Sequence, residues 1–224
     1  MSAQQKAMLK RLGPLLALIA VCIGLAFMSP NFLSASNAFD VMRQASINAL
    51  IAFGMTLSIL LGGIDLSVGS ILAVSSVLAA MTMKGGQGAG LAAGMAILAG
   101  AGMGSLNGVV IAKGNVAPFI ATLGMMTLLR GVALVLTNGS PISDFSSDFF
   151  AMLGDGYVVR LIPVPVVLML AMFALFWFVL TRTVFGRHVY ATGGNAEAAK
   201  LSGVNTDRVQ ILVYTVFEPE PSKA

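Results

Sequence analysis

The chain has 224 residues, of which 57% are hydrophobic and 10% charged, whereas a soluble domain carries about 25% charged residues. So few charges cannot coat a water-facing surface of this size. That excludes a cytosolic enzyme domain and a disordered segment, and the single cysteine, Cys22, inside an apolar run, excludes a disulfide scaffold. The net charge of +4 comes from basic residues set between apolar segments, which is a pattern of membrane orientation and not of a nucleic-acid-binding run.

A bilayer core of about 30 Å takes roughly 20 apolar residues per helix, and segments of that kind recur along the chain. They predict an all-α, polytopic transmembrane helix bundle with six full spans, at residues 12–28, 45–61, 66–83, 90–112, 118–137 and 161–180. Turn-forming residues separate them: Ser29-Pro30-Asn31, Gly62-Gly63, Gly85-Gly86-Gln87-Gly88, Lys113-Gly114-Asn115 and the polar stretch 138–160. The first span follows Lys6, Lys10 and Arg11 without a small-x-small cleavage site, so it reads as an uncleaved anchor. Placing the N-terminus inside puts Lys6, Lys10, Arg11, Lys113, Arg182, Arg187, Lys200 and Arg208 on the cytoplasmic side. Only Arg43, Lys84 and Arg160 then fall outside, and the stretch 138–160, with Asp144, Asp148 and Asp155, becomes an external loop.

On the second span, Asn48 and Thr56 are polar enough to line a cavity or to pair with another helix. After it, Gly62-Gly63-Ile64-Asp65-Leu66-Ser67 interrupts two apolar segments without a basic anchor. Two glycines release the helix, and Asp65 or Ser67 can cap the next one. A break at membrane depth is tolerated only where protein buries it or water lines it, so Gly62, Gly63, Asp65 and Ser67 are candidates for the wall of a translocation path; a plain capped turn uses the same residues.

In the fourth span, Gly100, Gly104 and Gly108 line one face, with Gly90 and Gly94 at the same spacing, and let another backbone approach closely. Asn107 beside them can bond across to a neighbouring helix. In the fifth span, Arg130 costs about 2.5 to 3.5 kcal/mol on insertion scales if it is held at the bilayer centre, and snorkelling to the outer interface reduces this.

The segment 181–208 is long, polar and basic. Within it, Asn195 can cap a short helix through Glu197, Ala198 and Ala199, and Gly203 can end it. Such a helix is either a docking element for a soluble partner or a solvated connector. No GxxxxGK[ST] stretch occurs, so a nucleotide-driven step needs another subunit. The lone His188 and Cys22 cannot form a metal cluster, which leaves this a non-enzymatic chain.

Four stretches together resemble the membrane permeases of bacterial sugar ATP-binding cassette importers, the ribose, xylose and arabinose branch. They are Ser29-Pro30-Asn31-Phe32; Gly54-Met55-Thr56-Leu57 running into Gly62 to Ser70; Pro118 to Met126 with Arg130-Gly131; and Gly186-Arg187 through Gly193-Gly194-Asn195 to Leu201-Ser202-Gly203. Thr137-Asn138-Gly139-Ser140-Pro141 is most similar to ribose permeases. The resemblance implies a bacterial inner-membrane, multi-pass subunit of a dimeric pore, made with a second copy. It also implies a periplasmic sugar-binding protein and a cytoplasmic ATPase that alone binds ATP and magnesium. By the same resemblance Glu197, Ala198, Ala199 and Gly203 contact that ATPase, although the Leu-Pro that ends the fuller form of the loop is absent.

The resemblance covers residues 1–217, the N-terminal part of such a permease domain; the tail 218–224 does not share it. A seventh segment starts at Val209 and stays apolar only to Phe217, too short to cross as a helix. A shortened reading frame is the expectation this raises, with a transport-inactive remnant as the alternative to a working permease. An independent secondary transporter is disfavoured by the scarcity of buried charge for ion coupling.

Overall fold

The computed structural model describes residues 3–143, 147–158 and 162–216, with side chains from residue 12 to residue 215. The tail 218–224, Phe217, Asp144, Arg160 and Leu161 lie outside the described residues. The chain divides into two compact units, Met1–Gln44 and Ala45–Ala224.

The first unit holds α1 (Ala3–Met28) and the start of α2 (Ala35–Leu60). The Ser29–Pro30–Asn31 turn predicted between them is present, and Ser34 closes it by accepting the Asn37 N–H at 3.2 Å. Asn37 Nδ2 in turn donates to the Phe32 carbonyl at 2.7 Å. α2 begins ten residues before the predicted span, and in this added part Asp40 and Arg43, one turn apart, form an ion pair at 3.2 Å that gives the helix modest support.

In the second unit α2 finishes and is followed by α3 (Val68–Lys84), α4 (Ala89–Ala112) and α5 (Pro118–Leu136). After these come α6 (Asp148–Asp155), a two-residue antiparallel pair β1 (Tyr157–Val158) and β2 (Ile162–Pro163), and α7 (Val164–Arg182). The chain continues through α8 (Val184–Gly194), α9 (Ala196–Leu201) and α10 (Thr206–Val216). Among the described residues three helices, α4, α5 and α7, are both long and apolar enough to cross a membrane; the 12–28 part of α1 and the 17-residue α3 are apolar but shorter. Many large apolar side chains face outward, among them Leu98, Ile120, Leu128, Val135, Leu170 and Phe178, as helices surrounded by hydrocarbon require. At the end of α7 the Arg182 guanidinium lies 5.8 Å from the Trp177 ring centroid, a pairing suited to a membrane–water boundary. Threonine hydroxyls are satisfied inside their own helices, as in Thr82 to Leu78 and Thr181 to Trp177.

Two expectations are corrected. The stretch 138–160 is not all loop: Ser147 accepts the Phe150 N–H and starts α6, whose Phe150 packs on Ala79, Ala92 and Ala96 of α3 and α4. The segment 181–208 likewise holds α8, α9 and the first residues of α10 where one short helix was expected. Thr183 caps α8 by accepting the Gly186 N–H at 3.2 Å, a signal that the Thr-Arg-Thr sequence hides among basic residues. A core of Leu57, Phe176, Val189, Val209 and Val213 then ties α2, α7, α8 and α10 together. A second core, Ile71 and Val74 with Leu129 and Ala133, ties α3 to α5.

Candidate functional site

The break predicted after α2 is present and its geometry follows from two glycines. Gly62 N–H donates to the Ile59 carbonyl at 2.9 Å and Gly63 N–H to the Ser58 carbonyl at 2.9 Å, the paired bonds of a Schellman ending. The motif needs a left-handed residue, and Gly62 supplies it at φ +80°. From Gly63 to Ser67 the chain has no regular structure, and α3 begins at Val68.

Asp65, and not Ser67, organises the new helix. Asp65 Oδ1 accepts the Ser67 N–H at 2.8 Å and the Ser67 hydroxyl at 2.6 Å, and the carboxylate also takes the Val68 N–H. Ser67 makes no side-chain cap. Its Oγ instead accepts from Asn107 Nδ2 of α4 at 2.7 Å. Across the break, Thr122 Oγ1 of α5 donates to the Ile64 carbonyl at 3.1 Å. All four side chains are enclosed: Asp65 is 3%, Ser67 0%, Asn107 1% and Thr122 0% exposed. Donors engage Oδ1 of this carboxyl group, which offsets part of the cost of burying it.

The far side of the break is equally tight. A β-carbon on Gly63 would stand 2.8 Å from Tyr214 Oη of α10 and 3.1 Å from Pro118 Cβ of α5. The break is therefore walled by α4, α5 and α10 together. Asn48 and Thr56 do not join it: both are exposed on α2, and Thr56 Oγ1 donates to the Ala52 carbonyl of its own helix at 2.7 Å. Arg130 is exposed on α5, about 9 Å before the helix ends at 1.5 Å per residue, within reach of an interface by snorkelling.

Of the glycine stripe on α4, Gly100, Gly104 and Gly108 are buried. A β-carbon on Gly108 would stand 2.7 Å from Ile211 Cα, so this glycine lets the α10 backbone approach α4. Gly90 and Gly94, a separate pair at the same four-residue spacing, face open space; the same pattern is packing at one end of the helix and nothing at the other.

The polar element after α7 folds as its residues require. Asn195 Oδ1 accepts the Ala198 N–H at 2.9 Å and starts α9. Glu197 and Ala198 are exposed, Ala199 is buried, and Gly203 closes the turn at φ +87°. Asn205 Oδ1 accepts the Arg208 N–H at 3.0 Å and starts α10. Leu201, at the tip, is 91% exposed. Replacing Asn195 with alanine is expected to cost about 0.5–2 kcal/mol of local stability, read as faster hydrogen exchange at the α9 amides with exchange in α4 unchanged.

Sequence reading found the break, the cap and the cross-helix reach of Asn107, and missed three partners. Thr122 stands in an apolar run with no spacing signal. Tyr214 lies in a segment whose apolar run is too short to cross a bilayer, which carries no signal of packing against the break. Gly193 of α8 sits directly on the end of α2: a β-carbon there would fall on the Leu60 carbonyl. The Gly193-Gly194 pair was the available signal, since a helix seldom carries two adjacent glycines unless a backbone comes close.

A family described as branched-chain amino acid transport system, permease component, matches residues 37–217. The chain is 45% identical over 209 residues to the ribose import permease protein of Bacillus subtilis strain 168, covering 93% of this chain and 65% of that protein. It is 43% identical over 214 residues to the ribose import permease protein of Escherichia coli K12, covering 94% of this chain and 66% of that protein. Against the D-allose transport system permease protein of Escherichia coli K12 the identity is 37% over 205 residues, covering 91% and 61%. The chain thus spans less than two thirds of the length of these relatives. No solved structure matches it. With the matched stretch running from α2 through the break and on to α10, this chain is a multi-pass membrane protein that belongs to the permease family of branched-chain amino acid transport type.

Proposed function

We propose that the chain is the permease subunit of an ATP-binding cassette importer for a monosaccharide, ribose or a close relative. In this reading it is a six-span protein of the bacterial inner membrane with its N-terminus in the cytoplasm. Gly62, Gly63, Asp65 and Ser67 line the translocation path and α9 docks on the ATPase. Asn48 and Thr56, exposed on α2, serve as path residues only if a second copy of the permease supplies the facing wall. The observation that carries the reading is the buried, irregular break walled by three helices, joined through Leu60 and Gly193 to the helix that precedes α9. Irregular backbone at membrane depth is tolerated where protein buries it or water lines it, and transporters place their solute sites at such interrupted helices, which supports the path reading. The relatives are named for ribose and D-allose transport, which supports the substrate class. ATP and magnesium are bound on the ATPase, and a periplasmic binding protein delivers the sugar.

Leu201→Asp tests the docking surface without disturbing the fold, because Leu201 is exposed and packs on nothing. Co-purification of the ATPase from detergent is expected to fall at least tenfold while the thermal midpoint of the permease stays constant. Unchanged co-purification would remove α9 from the interface.

A further inference from the structure

The break between α2 and α3 is tied to its surroundings by two side-chain hydrogen bonds, from Asn107 to Ser67 and from Thr122 to the Ile64 carbonyl. Further side-chain hydrogen bonds order it locally. Asp65 bonds residues two and three positions on, and the Gly62-Gly63 ending belongs to α2. Among the described residues no backbone–backbone hydrogen bond holds Ile64, Asp65 or Leu66. A segment whose internal order travels with it, and whose hydrogen bonds to other helices are, among the described residues, these two, can move as a body when they are released, sliding past the packing of Gly63 on Tyr214 and Pro118.

One of the two ties has a ready alternative. The Phe119 carbonyl of α5 lies 3.4 Å from the same Thr122 hydroxyl, so a proton withdrawn from Ile64 finds an acceptor on its own helix and no buried donor is orphaned. At the same place the segment already reaches the surface, for Ile64 is 51% exposed. Ser67 keeps its hydroxyl hydrogen bond to Asp65 when the Asn107 amide leaves, whereas the buried amide must then find water as its acceptor.

We infer that Asn107 and Thr122 are positioning residues that latch the break against α4 and α5, and that releasing them opens the segment to water as the gate of the solute path. The inference rests on the permease reading for the path, whereas the latch itself stands on the hydrogen bonds.

The test uses the chain in membrane vesicles, with Cys22→Ser removing its single cysteine. A reporter Val68→Cys, buried beside the break, is compared with a control Ala79→Cys, buried further along α3. Thr122→Val and Asn107→Leu are each expected to speed modification of the Val68→Cys thiol by a water-soluble maleimide by roughly tenfold, the effect of losing one neutral hydrogen bond on an open–closed equilibrium. The control thiol is expected to stay unreactive, and Thr122→Ser, which keeps the hydroxyl, to restore the slow rate at Val68→Cys. Unchanged rates in both variants, or equal acceleration at Ala79→Cys, would overturn the latch. Loss of ATPase co-purification with the unsubstituted chain would instead overturn the permease reading and leave the labelling result intact.

Discussion

Gly193→Val is expected to be among the most damaging single substitutions in the second unit. Its first side-chain atom would occupy the position of the Leu60 carbonyl, and backbone cannot yield as a flexible side-chain end can. Overpacking of a filled interior costs about 1–3 kcal/mol, and a collision with backbone belongs at the top of that range. α8 must then lift away from the end of α2, which uncovers Val189 and Leu57 in the core they share. The thermal midpoint in detergent should fall and proteolysis between α7 and α9 should speed up. Gly194→Ala is the matched control, because open space surrounds Gly194, and its effect should stay within about 0.5 kcal/mol. Equal stability of the two variants would mean that α8 does not rest on α2.

Gly108→Leu should be nearly as severe, for a related reason. The α10 backbone lies against Gly108, with Ile211 Cα 2.7 Å from where a β-carbon would stand. Between apolar helices in lipid, close backbone approach is itself the source of attraction, since there is no hydrophobic gain in bringing them together. A leucine here separates α10 from α4 and carries Tyr214 away from Gly63, so one wall of the break is lost. The expected result is a loss of about 2–3 kcal/mol, seen as a lower thermal midpoint. Gly102→Ala, on the open side of the same helix, should be neutral or stabilising by up to about 1 kcal/mol. If Gly108→Leu left the midpoint unchanged, α10 would not be seated on α4.

What could be read from the sequence follows from the length scale of each signal. Apolar runs fixed the positions of α4, α5 and α7 to within a few residues, because twenty apolar residues in succession have few other uses. Asn195 and Gly203 announced α9 because capping chemistry is local. α6 and α8 were read as loop because their first residues, Ser147 and Thr183, sit among other polar residues that mask the start of a helix. The break was legible through Gly62-Gly63 and Asp65, yet its partners were not: Asn107 lies 40 residues and Thr122 58 residues from the atoms they bond. Pairings over that distance are set by which helices pack together, and periodicity within one helix holds no record of its neighbour. The same limit explains why Gly90 and Gly108 look alike in sequence and differ in the fold.

The proposed function is that this chain moves sugar through a gated path driven by a separate ATPase. Uptake of labelled ribose should be measured in cells that lack their own ribose permease and express this chain with its binding protein and ATPase. The account predicts uptake above background that disappears when the phosphate-binding lysine of the ATPase is replaced. Uptake that persists without nucleotide hydrolysis, or none at all with the ATPase bound, would contradict it.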